Sequence, residues 1–352
     1  MDIDWIKKLA AAAARAPSAD NSQPWTLGWN GTELAIRYAL RDKTHNLFAA
    51  ESHATLLAVG AVVEYIQVAL NANPVSFQWQ WPSNPALGQP YASVALSGTS
   101  TNFASPQALS LRHTNRFAFR ADALPANLFR ELGNYRENDN RASCLIDLAE
   151  KSRLIRLVRI CSEARFCNPK LHEWLINSLR FTPEDIARGD GLDIESLALP
   201  PGGKFFFKFI SDWKRMSALN GLGLYKLLAR SEVSLLAEAP ALLCIIGRRS
   251  DPRSIIDGGR LMTRLWVDLN EQGIAVHPYY VVSDQINRFR EGTAAPGFET
   301  KISEVEEEIR ELLALQSDEM LHMIMRVGYP KTEPVRSRRL PLESVFMDAT
   351  SI

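Results

Sequence analysis

The sequence predicts an α+β protein, a mostly antiparallel sheet flanked by helices and doubled within one chain. Three observations carry this. Two β-favouring segments, residues 26–28 and 34–38, flank Asn30-Gly31, a dipeptide that tolerates positive φ and closes hairpins. Residues 54–70 are apolar on nearly every face, with Leu57, Ala61, Tyr65 and Val68 on one side and Leu56, Val59, Val63 and Ile66 over much of the rest, which describes a helix buried all round. The same order of buried helix, short break and strand over residues 53–80 returns over residues 258–282.

Taken in order, the spacing predicts a helix over residues 5–15, stopped by Pro17, which lacks an N–H and fixes φ. The hairpin and the buried helix follow, then strands over 75–81 and 92–96 joined by a turn-rich stretch at 82–90. A polar link at 97–105 leads to a new helix over 107–112. Residues 240–247 form an apolar strand. Residues 258–272 form a helix with Leu261, Leu265, Val267 and Leu269 inward, closed by Gly273. A strand over 274–282, a Glu-rich amphipathic helix over 304–315 and a strand over 320–329 complete the pattern. The expected organisation is an N-terminal half, 1–105, interlocked with a C-terminal half, 106–352. The second half carries a helical insertion near 168–230, with Trp174, the turn Gly189-Asp190-Gly191 and the aromatic run Phe205, Phe206, Phe207, Phe209 and Trp213. These aromatics either pack a local core or cover a ring system, as lid insertions do.

Composition narrows the function classes. The 352 residues carry 40 Lys+Arg and 40 Asp+Glu, a formal net charge of +0, so no overall field attracts nucleic acid or an anionic membrane. Cys144, Cys161, Cys167 and Cys244 show neither Cys-x-x-Cys pairing nor histidines at ligand spacing, which predicts reduced thiols, no metal and a cytoplasmic setting. The acidic start, Met-Asp-Ile-Asp-Trp, lacks a basic n-region before an apolar stretch. The runs 54–69 and 234–246 are interrupted by Glu64 and Glu238 and are too short for confident bilayer spans. Gly221 and Gly223 lack the third glycine of a dinucleotide loop, Gly202-Gly203-Lys204-Phe205 lacks the rest of a Walker loop, and no His-Glu-x-x-His or Gly-x-Ser-x-Gly occurs.

What remains is chemistry for holding a flat, anionic ligand. Between Pro17 and Pro24 lie Ser18, Ala19, Asp20, Asn21, Ser22 and Gln23, a rigid loop of short donors and acceptors suited to a heteroaromatic ring. Its order resembles the Pro-Ser-x-x-Asn-Ser-Gln-Pro-Trp signature of the FMN-dependent nitroreductase family, in which this loop lies against the isoalloxazine ring. The resemblance implies FMN as cofactor, with Pro17, Ser18, Ala19, Asn21 and Gln23 near it. Arg112-His113-Thr114-Asn115-Arg116 places two arginines at i and i+4 with a hydroxyl between them, a phosphate-binding combination, and is similar to the family's Arg-Arg/His-Ser-x-Arg/Lys clamp. The tail Arg336-Ser337-Arg338-Arg339-Leu340-Pro341 resembles the family's basic closing segment. By that resemblance one arginine reaches the phosphate, Arg339 first and Arg338 second. The segment 273–279, with Pro278 and Tyr279, resembles the stretch whose backbone amides approach the flavin; His277 reads as a satisfied, partly buried side chain.

The resemblance further implies hydride transfer from a reduced nicotinamide or another donor, through the flavin, to a nitro, quinone or similar acceptor. No catalytic side chain is singled out. Ring loop and clamp each occur once, so the chain is expected to fold as a pseudo-dimer with one FMN site, either as a monomer or as a homodimer. The long insertion looks closest to the fused, lid-bearing branch that includes mycobacterial flavin-sequestering relatives, which leaves storage without turnover, or a biosynthetic dehydrogenase, as alternatives.

Overall fold

The computed structural model describes residues 1–40, 48–82, 88–98, 100–249 and 251–350. The helices, in chain order, are α1 Ile3–Ala13, α2 His53–Asn71, α3 Gln107–Leu111, α4 Ala126–Gly133, α5 Leu148–Phe166, α6 Pro169–Ser178, α7 Pro183–Ala187, α8 Gly203–Phe209, α9 Trp213–Gly221, α10 Leu224–Ala237, α11 Pro252–Glu271, α12 Val281–Arg290 and α13 Glu299–Leu312. The strands are β1 Trp25–Trp29, β2 Glu33–Tyr38, β3 Ser76–Gln80, β4 Ala92–Ser97, β5 Arg136–Glu137, β6 Asn140–Leu145, β7 Leu179–Arg180, β8 Leu192–Asp193, β9 Ala241–Arg248, β10 Ala275–Tyr279, β11 Glu319–Gly328 and β12 Phe346–Asp348.

Two five-stranded sheets result, in the orders β12-β1-β2-β4-β3 and β5-β6-β9-β11-β10, with β7 and β8 forming a separate pair. The pairings are antiparallel in both large sheets except β1 with β12, where Leu27 stands opposite Phe346 in parallel register. Read as hairpin strands, central helix, then two more strands, the run β1-β2-α2-β3-β4 has its counterpart in β6-β9-α11-β10-β11. The expected α+β class with mostly antiparallel sheets flanked by helices is therefore what the chain adopts. β12 comes from the C-terminus yet completes the N-terminal sheet, so the tail must cross the molecule to reach it.

The two central helices, α2 and α11, pack on each other between the sheets. Gly60 and Gly259 each stand eight residues into their helix, and each meets the other helix's backbone. A methyl group on Gly60 would lie 1.9 Å from the Ile256 carbonyl oxygen, and one on Gly259 would lie 2.2 Å from that of Leu57. Glycine is needed at both positions because nothing larger fits. Glu64 ties the crossing by accepting from Arg264 at 2.7 and 3.0 Å and from Arg260 at 3.3 Å. The length and apolarity of α2 would suit a membrane span, but here it is the core helix, buried among protein.

β9 explains why its sequence is continuously apolar. Ala241, Leu243 and Ile245 face the core shared with α2 and α11, while Leu242, Cys244 and Ile246 face the second core under α5, α12 and α13. A strand covered on both faces loses the alternation of a half-exposed one.

Three expectations need correction. Residues 274–282 do not form one strand: β10 ends at Tyr279 and Val281 opens α12, where Arg288 pairs with Asp284 one turn earlier. Helix α11 begins at Pro252 rather than at 258, because Asp251 caps it by accepting from the Arg253 amide and proline is favoured at a first helical position. Arg112 and Arg116 do not share a helical turn; α3 stops at Leu111, Arg112 has φ −58 and ψ 124, and Thr114 bridges to Val276 as extended chain. Of the stretch 82–90, residues 83–87 lie outside the described residues.

Candidate functional site

The loop after α1 is strained. Asp20, Asn21 and Gln23 adopt φ values of 47°, 57° and 49°, a region in which short polar side chains are enriched and glutamine is uncommon. What holds it is a saturated set of hydrogen bonds. Ser18 Oγ accepts from the Gln23 amide at 2.9 Å. The Asn21 amide donates to the carbonyls of Gly189, Gly191 and Arg338 at 3.2, 3.1 and 3.0 Å, and its Oδ1 accepts from Arg339 at 2.9 Å. Gln23 donates to Gly189 and accepts from the Leu340 amide. The loop is thus stitched both to the insertion and to the C-terminal tail. Where tail and insertion cross, Gly189 has φ +83 and leaves no room for a side chain, a methyl there lying 2.1 Å from the Arg339 carbonyl oxygen.

These contacts deliver two guanidinium groups to one place. Arg112 is buried; its Nε donates to the Tyr65 hydroxyl at 2.6 Å, and its plane lies 4.7 Å from the Trp266 ring centre. Arg339 comes from the tail and donates to Arg15 O at 3.0 Å, the same carbonyl that receives Arg112 at 3.3 Å. Among the described residues neither arginine forms an ion pair with a carboxylate, and Arg339 Nε is buried without any partner. Burial and the neighbouring Arg112 pull the Arg339 pKa down to about 9. An uncompensated pair of buried cations is costly unless an anion joins them.

Both arginines line a cavity of about 710 Å³. Its other walls are the ring loop, residues 112–116, the end of β10 with the start of α12, and the insertion. His113 Nδ1 lies 2.7 Å from the Leu111 carbonyl and must donate to it, which leaves the buried Nε2 as an acceptor with no partner among the described residues. Arg116 contributes a guanidinium whose pKa burial lowers, offset by Asp20 and Tyr279, with Ser196 Oγ at 3.5 Å. His277 Nδ1 accepts from Arg326 Nε at 3.2 Å, so its ring proton resides on Nε2; burial, then Arg326 and Arg116, hold this histidine neutral.

The insertion supplies one wall of the cavity. Trp174 Nε1 donates to Asp20 Oδ2 at 2.7 Å, and Leu197, Leu199, Phe206 and Phe207 form an apolar wall. Of the aromatic run, Phe206 and Phe207 line the cavity and Phe205 and Phe209 do not; Phe205, Phe206 and Phe209 are all exposed. The pair β7–β8 and the buried Arg180–Asp190 bridge, at 2.8 Å, give the insertion its own small framework.

Of the residues expected at the site, Pro17, Ser18, Ala19, Asn21, Arg112, His113, Thr114, Arg116, Pro278, Tyr279, Arg336 and Arg339 all line this cavity. Gln23 and Arg338 do not. Gln23 is fully buried as a brace between loop, insertion and tail, and Arg338 offers only its carbonyl to Asn21 while its side chain is exposed. Pro278 has no amide N–H to offer. Sequence reasoning missed Arg15 and Tyr280 on the cavity wall, and Tyr65 behind Arg112. In the sequence Tyr65 reads only as part of a buried stripe; no local signal marks its hydroxyl.

No family model matches the chain. An uncharacterized protein of Mycobacterium tuberculosis (strain CDC 1551 / Oshkosh) is 25% identical over 346 residues, covering 94% of this chain and 46% of that protein, so the chain spans about half the length of the curated relative it matches. Solved structures similar to it include oxidized iodotyrosine deiodinase bound to FMN and 3-iodo-L-tyrosine, with 17% identity, 67% of this chain and 94% of that one covered, and a TM-score of 0.36. An FMN-dependent nitroreductase from Mycobacterium smegmatis in complex with NADPH is 19% identical, covers 67% and 96%, and also scores 0.36. A nitroreductase with bound FMN from Bacteroides fragilis gives 9%, 67% and 93%, and 0.36. The last two of these structures are named nitroreductases; at this level of superposition none carries an inference about the ligands of this chain.

Proposed function

We propose that the cavity binds one FMN per chain and that the protein is a cytoplasmic flavin oxidoreductase, taking hydride from a reduced nicotinamide or similar donor and passing it to a nitro, quinone or related acceptor. The observation that carries this reading is the pair formed by buried Arg112 and half-buried Arg339, which meet at the Arg15 carbonyl with no carboxylate partner among the described residues, in a cavity that a polar, strained loop also lines. A phosphate dianion supplies the missing charge, and planar guanidinium groups match it through paired donors. Arg336, on the cavity rim, adds positive charge, and the orphaned His113 Nε2 suits a hydroxyl of the ribityl chain. The loop 17–21 and the segment 278–279 are left for the ring. Bound FMN supplies two-electron chemistry; the side chains bind, orient and exclude water. The shared strand order of the two sheets supports the single-chain pseudo-dimer, with ring loop and clamp drawn from different halves.

A second reading follows from the apolar wall of the insertion. If Leu197, Leu199, Phe206 and Phe207 stay closed over the ring, hydride donors have no stacking slot and the protein stores flavin. Steady-state oxidation of NADH or NADPH with nitrofuran or menadione decides between them. Turnover is the expected result, and a yellow protein inert to both donors would replace the enzyme with a storage protein.

A further inference from the structure

The outer face of the insertion departs from the charge balance of the whole chain. The 352 residues carry no net charge, yet residues 203–230 hold six basic residues and one acid, Asp212. Asp212 caps α9 by accepting from the Lys214 amide at 2.7 Å, and Lys204 pairs with Glu195 at 3.8 Å. Lys208, Lys214, Arg215, Lys226 and Arg230 are exposed and form no ion pair among the described residues. Elsewhere the surface arginines of α5 and α12 are matched: Arg153 and Arg156 reach Glu308, and Arg290 reaches Glu306. The same stretch exposes apolar groups. Phe205, Phe206, Phe209, Leu222 and Leu227 are five of the ten large apolar side chains exposed among the described residues, Phe205 at 79% and Leu227 at 64%.

These groups adjoin one another across three helices. On α8, Phe205, Lys208 and Phe209 stand at i, i+3 and i+4 and share a face. Arg215 of α9 lies over the Phe209 ring at 5.1 Å. On α10, Lys226 and Arg230 stand one turn apart and flank Leu227. Phe206 and Leu227 both line the cavity while exposed, as does Val335 of the tail. Residues that line a cavity and reach solvent mark its mouth, so the mouth opens within this basic, apolar face.

We propose that α8, α9 and α10 dock the protein on an anionic lipid surface, with the mouth of the cavity turned toward the bilayer. Helices that present rings and leucine beside Lys and Arg lie in the headgroup layer, where the apolar groups enter the acyl boundary and the cations meet anionic headgroups. Two other occupants fit worse. Lysine is depleted in protein–protein interfaces, and a second copy placed by a two-fold axis would set the same unpaired cations against themselves. Free phosphate would answer the charge but leave Phe205 and Leu227 in water. The docking is independent of what the cavity holds.

The test is flotation of the full chain with phosphatidylcholine vesicles, with and without phosphatidylserine. Binding is expected only where phosphatidylserine is present, and it weakens as salt is raised. Each basic side chain at an anionic surface contributes about fivefold in affinity, so Lys208→Gln combined with Lys226→Gln should bind about 25-fold less tightly. Phe205→Ser combined with Phe209→Ser removes apolar anchors and should abolish flotation. None of these four side chains lines the cavity, so FMN affinity is expected to match that of the unaltered chain. Phe205→Trp and Val335→Trp should be quenched by brominated acyl chains, and Met347→Trp, on the N-terminal sheet, should not. Absence of flotation with phosphatidylserine, flotation unchanged in both double variants, or equal quenching at all three positions overturns the proposal. A dimer in place of flotation, dissolved by Phe205→Ser, assigns the face to a second copy and overturns it too. Vesicle binding by a chain that retains no FMN would remove the functional reading and leave this one standing.

Discussion

Replacing Arg339 by methionine separates its structural from its ligand-binding role, provided two flavins are compared. The side chain braces the loop through Asn21 and Arg15, so the variant loses stability for reasons unrelated to any ligand. Riboflavin shares the ring and ribityl chain of FMN but lacks the phosphate, so its affinity reports those indirect losses alone. Charge-assisted hydrogen bonds contribute about 1.5–3 kcal/mol each, which predicts that the FMN-to-riboflavin affinity ratio falls by about 10- to 150-fold in Arg339→Met while riboflavin binding is nearly unchanged. Fluorescence titration of both flavins reads the ratio. An unaltered FMN-to-riboflavin ratio in the variant would remove Arg339 from the phosphate site.

Arg112→Ala is expected to lower flavin retention through purification by a similar factor, read as the absorbance ratio near 450 and 280 nm, because Tyr65 and Trp266 have no other cation to present. Acid should unfold the protein early. His53, His277 and His322 are held neutral by burial, His322 down to about 3, so the unfolded chain binds more protons below its own histidine pKa near 6.5 and stability falls as pH falls. The three together lose about 3 kcal/mol between pH 6.5 and 5.5, checked by urea denaturation at the two values. Gly60→Ala and Gly259→Ala should each cost about 1–3 kcal/mol by forcing the central helices apart, and the double variant less than the sum, because one separation relieves both clashes.

The sequence revealed the fold wherever one physical rule acted locally. Asn30-Gly31 marked the hairpin, and the all-round apolar face of residues 54–70 marked a helix that proved to be enclosed by two sheets. It misled where two rules competed. Val281 and Val282 continue the β-favouring pattern of β10, yet they open a helix, because the Asp284–Arg288 spacing and a polar run behind them fit a turn of helix better. At the site, the cavity-lining residues of the loop, clamp and tail were legible as motifs, but the work each does was not. Asn21 lines the cavity yet spends its amide on the insertion and the tail, and Gln23 braces the same elements from outside the cavity.

The most direct measurement is the visible spectrum and flavin stoichiometry of the purified chain after incubation with excess FMN and removal of the unbound fraction. One flavin per chain, lost in parallel with Arg112 or Arg339, is the predicted outcome. A colourless protein, or two flavins per chain, would contradict a single anion clamp assembled from the end of the first helix, the extended stretch after α3 and the returning tail.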